Sequence, residues 1–83
     1  MLAPKINLNG TDGEILRDEY LIAINALGDA ANAINRITVH ARDYDQMGLL
    51  VRKAVTDRTA ILVRLDQMID ELRKTYVEID DQI

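Results

Sequence analysis

From Leu16 onward, apolar side chains recur at Leu16, Tyr20, Ala23, Leu27, Ala30, Ile34 and Ile37. The steps alternate between four and three residues, which keeps one face of a helix turned toward a partner. Ile24 and Ala31 widen this face, and the alanines make it thin enough for a neighbouring backbone to approach closely. A second series runs Val51, Val55, Arg58, Leu62, Leu65, Ile69, Leu72, Tyr76 and Ile79 with the same spacing, and Ala54, Ile61 and Met68 overlap it. The pattern predicts a helix over about 12–38, a loop over about 39–48 and a longer helix over about 49–80. The fold class is all-α: an antiparallel helical hairpin occupying 11–83, preceded by an arm at 1–10.

The ends of these segments carry their own signals. Thr11-Asp-Gly-Glu14 matches the capping box, with Thr11 as N-cap and Glu14 reaching back to its amide. Asp12 and Glu14 also suit the positive end of the helix dipole. The β-branched Thr38 and Val39 weaken the first helix near its end. Gly28 interrupts it at a cost of about 1 kcal/mol relative to Ala, and close packing against a neighbour is the expected reason. Asp45 is the expected N-cap of the second helix, although Gly48 lies in its first turn. In the arm, Ile6 and Leu8 alternate with Asn7 and Asn9 before Gly10. Three readings follow: an extended arm docked through Ile6 and Leu8, a short edge strand, or a free tail.

Length changes the picture. At 83 residues the chain is one domain and buries little surface alone. Small domains rely on disulfides, a metal or association, and there is no cysteine. The absence of thiols also suits a reducing cytoplasm. A helix of about 32 residues would span about 48 Å, long for a chain this small. Its apolar face is too wide for one alanine-rich helix to cover. The expected solution is self-association into a multi-helix bundle. Its seam would be Leu16, Tyr20, Ala23, Leu27, Ala30 and Ile34 with Val55, Leu62, Leu65, Ile69, Leu72 and Tyr76. No apolar run reaches the roughly 20 residues of a membrane span, and no signal-peptide pattern is expected.

Charge is unevenly spread. The net charge is −4, which disfavours bulk nucleic-acid binding. Residues 36–58 hold Arg36, Arg42, Arg52, Lys53 and Arg58 against Asp43, Asp45 and Asp57, while the remainder is strongly acidic. A hairpin would therefore have a basic turn end and an acidic open end. Lys53 with Asp57, Asp70 with Lys74, and Lys74 with Glu78 are spaced as i,i+4 pairs on a solvated face.

Two motifs stand at the ends of the first helix: Asn7-Leu8-Asn9-Gly10-Thr11 before it, and His40-Ala-Arg42-Asp43-Tyr44 after it. This layout resembles short, poorly characterised proteins of tailed bacteriophages and prophages. These carry an Asn-Leu-Asn-Gly-Thr stretch and a His-x-Arg-Asp-Tyr-Tyr motif between two helices. Here Asp45 replaces the second tyrosine, so any stacking by that ring is lost. The resemblance implies a phage context, hence a host-cell cytoplasm, and no particular activity.

Candidate chemistry gathers at the turn. His40, Arg42 and Tyr44 offer an imidazole, a planar guanidinium suited to phosphate or carboxylate, and a ring that can stack on a base. Arg52 and Lys53 in the first turn of helix 2 oppose its dipole unless an anion sits there. Arg58 interrupts an apolar seam. It can fix register, project into a pocket between subunits, or snorkel to water. The loop also has a purely structural account: Asp43 pairs with Arg42 or caps helix 2, and Tyr44 covers the loop. Asn25, Asn32 and Asn35 either face water or bond between helices.

An enzyme is not expected, since there is one histidine, no cysteine, no serine and no phosphate-binding glycine loop. No cofactor is expected. His40 and Asp43 could hold zinc only with ligands from another subunit, so no metal site is assigned. The expected function is that of a small phage-type oligomeric binding protein. Anion or nucleotide pockets would lie near its inter-helix loops, where they could sequester a host defence signal. The alternatives are a module that docks on a host or phage protein, or a virion accessory protein. The expected partners are therefore itself, an anionic small molecule and a host protein, with no membrane.

Overall fold

The computed structural model describes residues 1–44 and 48–83. Asp45, Gln46 and Met47 lie outside the described residues, and with them the reading of Asp45 as a cap. Two helices, α1 (Gly13–Asn35) and α2 (Leu49–Asp80), pair as a hairpin, with a short 3-10 turn at Ala41–Asp43 between them. No strand occurs among the described residues. The molecule is a rod of 63 × 17 × 15 Å.

The start of α1 differs from the capping-box expectation. Asp12, not Thr11, is the N-cap, and its Oδ1 accepts from the amides of Glu14 at 2.8 Å and Ile15 at 3.2 Å. A carboxylate satisfies two of the first free amides and also meets the positive end of the dipole. At its other end α1 stops at Asn35, three residues short of the expected limit. Arg36 and Ile37 donate to the carbonyls of Ala33 and Ile34, tightening the last turn. Ile37 therefore falls beyond the helix and is exposed.

The 4-3 seams face each other. Leu16, Tyr20, Ala23, Leu27, Ala30 and Ile34 are half-buried, and Ile24 beside them is buried. On α2 the buried positions are Leu65, Ile69, Thr75 and Ile79, while Val55 is exposed. The Thr75 hydroxyl donates to the Glu71 carbonyl at 3.3 Å, so this buried polar group is satisfied. The core is aliphatic and small, and it lies toward the open end of the hairpin.

Gly48 precedes α2 with φ +76°, a left-handed conformation that glycine adopts without a Cβ penalty. Gly28 does not have the close neighbour expected for it: a Cβ there would meet nothing within 4 Å. Gly13 does. A Cβ at that position would lie 2.6 Å from Ile83 Cγ2 and 3.2 Å from Ile6 Cγ2. Both ends of the chain therefore converge on the first turn of α1.

The arm is docked by Gln82. Its side-chain oxygen accepts from the Ile6 amide at 2.8 Å, and its amide donates to the carbonyls of Pro4 at 3.0 Å and Glu78 at 3.1 Å. Ile6 is half-buried, as an anchoring residue should be. Leu8 is not an anchor. Asn7 Oδ1 accepts from the Asn9 amide and the Asn7 carbonyl accepts from Gly10, a turn that leaves Leu8 fully exposed at its tip. Arg17 adds an ion pair to Asp80 at 3.0 Å, and this hydrogen bond raises the guanidinium pKa further. Of the i,i+4 pairs, Lys53–Asp57 forms at 2.9 Å. Asp70 instead meets Arg73, and Lys74 makes no ion pair among the described residues.

Candidate binding site at the turn end

His40 is extended and begins the 3-10 turn, and its Nδ1 accepts from the Arg42 amide at 3.2 Å. In the neutral ring this leaves Nε2 to carry the proton. Asp43 and Tyr44 donate from their amides to the carbonyls of His40 and Ala41. The result is a short, internally bonded bend whose four residues His40, Ala41, Arg42 and Tyr44 line an open depression. Tyr44 is 42% exposed.

The basic residues of the turn end, among them the predicted Arg42, Arg52, Lys53 and Arg58, divide into two sets. Lys53 is held by both oxygens of Asp57, at 2.9 and 3.1 Å. Arg58 is half-buried and donates from Nη1 to the carbonyl of Ile37 at 2.8 Å. It therefore satisfies a carbonyl just beyond the end of α1, where backbone acceptors lack helical partners. Its place in the apolar seam is explained by this reach across the hairpin. Arg36, Arg42 and Arg52 are exposed and form no ion pair among the described residues. The Arg42–Asp43 pairing considered from the sequence is likewise not among these ion pairs.

What the depression offers is the Arg42 guanidinium beside His40 and the partly exposed Tyr44. It can meet a phosphate or a carboxylate. Among the described residues no group of three or more His, Cys, Asp or Glu side chains could hold a metal ion. No described helix is long and apolar enough to cross a membrane.

Asn32 and Asn35 line a lateral groove with Thr59, Asp66 and the apolar Leu62 and Ile69, adjoining the turn end. Asn25 lines another with Leu21, Arg73 and Val77. The Gln82 clasp and the Arg58–Ile37 bond were not read from the sequence. Their partners are 76 and 21 residues apart, and spacing along a chain carries no signal for such bonds. Comparison with protein-family models, curated proteins and solved structures finds no match.

Proposed function

We propose that this protein is a self-associating helical hairpin that binds an anionic group at its turn end. The observation that carries this reading is the set Arg36, Arg42 and Arg52, exposed and without carboxylate partners among the described residues. Unpaired guanidiniums on an otherwise acidic protein are positioned to recognise phosphate or carboxylate. The partly exposed Tyr44 beside Arg42 favours a nucleotide-type ligand over a bare ion. The resemblance in Asn7–Thr11 and His40–Tyr44 supports a phage setting for such a role. The test is a thermal-shift and calorimetric panel of mono-, di- and cyclic nucleotides together with inorganic phosphate. Binding that is lost in Arg42→Ala with unchanged helix content is expected. No binding across the panel removes the ligand from the reading.

A second reading has its own observation. Ile15, Ile22 and Leu8 are 57%, 68% and 103% exposed, away from the turn end. Such side chains favour a protein-docking module. Recovery of one stoichiometric protein partner from host lysate, lost in Ile22→Asp but retained in Arg42→Ala, would select it.

A further inference from the structure

Ile61, Met68 and Thr75 on α2, and Gln82 just beyond its end, are spaced seven apart, so they form one stripe that drifts only about 20° per step. The arm roofs one end of it. Gln82 holds the backbone of Pro4 and Ile6, and Thr75 is 1% exposed. Beyond the arm the stripe is uncovered: Met68 is 45% and Ile61 40% exposed. The lateral groove of Asn32, Asn35, Leu62 and Ile69 is elsewhere. Thr59 and Asp66 stand two residues from Ile61 and Met68, which is about 160° round the helix. By the same spacing on α1, Ala30 stands about 160° from Asn32, on the flank of the uncovered stripe. The lateral groove and the uncovered stripe thus lie on opposite flanks of the hairpin.

We propose that the uncovered stripe seats a second copy of the chain in antiparallel sense, rod alongside rod with the turn end of each beside the open end of the other. This rests on the self-association proposed above and adds its face and direction. Two observations support a second copy. First, Ile61 and Met68 straddle the middle of α2 (Leu49–Asp80). A two-fold axis there places Ile61 of one copy opposite Met68 of the other, a self-complementary contact. Second, residues 36–58 carry five cations against three carboxylates, whereas the rest of the chain carries five against eleven. Antiparallel pairing puts unlike ends together, and parallel pairing would put like ends together. In this arrangement the acidic open end of the partner is the first anionic neighbour of each turn end.

The experiment uses the full chain, which has no cysteine, so single engineered cysteines report position. Light scattering on a sizing column should give a mass of at least two copies. Ile61→Asp and Met68→Glu should each lower it to one copy with helical circular dichroism unchanged, while Ile22→Asp on the outer surface should not. Spin labels on Ala41→Cys in both copies should lie about a rod length apart. Mixing chains labelled at Ala41→Cys with chains labelled at Asp81→Cys should give distances within roughly 30 Å, two to three helix diameters. A single-copy mass for the unaltered chain overturns self-association and this arrangement together, yet leaves anion binding by Arg42 standing. An oligomer with short Ala41-to-Ala41 distances overturns only the antiparallel sense. An oligomer indifferent to both stripe variants overturns the face.

Discussion

Arg58 on α2 donates to the carbonyl of Ile37 at 2.8 Å, so a cation placed in the apolar seam closes the far end of the hairpin. Arg58 is half-buried, and its guanidinium serves a carbonyl just beyond the end of α1. Arg58→Met keeps much of the stem and removes the donor. Because bonds from charged donors contribute about 1.5–3 kcal/mol, and Arg58 is only half-buried, a loss of about 1 kcal/mol in urea unfolding is expected. A neutral or stabilising result would show that the guanidinium merely reaches water.

The two glycines of α1 should respond to alanine in different ways. At Gly28 there is open space, so Gly28→Ala should stabilise by roughly 0.5–1 kcal/mol through helix propensity alone. At Gly13 the new methyl meets Ile83 and Ile6. Gly13→Ala should forfeit that gain and displace Ile83, visible as altered methyl resonances for Ile6 and Ile83. Equal stabilisation at both sites would contradict the close approach at Gly13.

Helix initiation separates Asp12 from Thr11. Asp12→Ala removes the acceptor for two amides and should cost about 1 kcal/mol. Thr11→Ala should change stability by no more than a few tenths of a kcal/mol, as is usual for exposed positions. The reverse order in paired thermal melts would restore the capping box.

Gln82 should govern the order of the arm. In Gln82→Ala the Ile6 amide loses its acceptor and the Pro4 carbonyl its donor. Hydrogen exchange at Ile6 should accelerate while exchange in the middle of α1 and α2 stays slow, since local opening need not involve the whole fold. Gln82→Glu keeps the acceptor and loses the donor, so an intermediate rate is expected. Unchanged exchange at Ile6 in both variants would show that Gln82 does not hold the arm.

Much of the hairpin was legible because helix pairing is written in local periodicity. The half-buried Leu16, Tyr20, Ala23, Leu27, Ala30 and Ile34 lie on the predicted face, and so do the buried Leu65, Ile69 and Ile79. Thr75 was missed because a threonine buried through its own i−4 carbonyl looks polar in a pattern of apolar positions. Leu8 was misjudged for the opposite reason: alternation suggested a strand, but the Asn7 side chain makes a turn and turns Leu8 outward. At the turn, the basic character was plain from composition. Which cations are already engaged was not, because the Ile37 acceptor for Arg58 is a backbone atom and every residue carries one.

The meeting of both ends at Gly13 has a mechanical consequence. Ile6 and Ile83 sit together at one end of a 63 Å rod, and the turn lies at the other. Tension on the two ends would peel α1 from α2 one helical turn at a time and would not slide the helices past each other. The Gln82 clasp and the Arg17–Asp80 pair would carry that load first. Once they part, the remaining contacts open in sequence toward Arg58, the last latch before the turn.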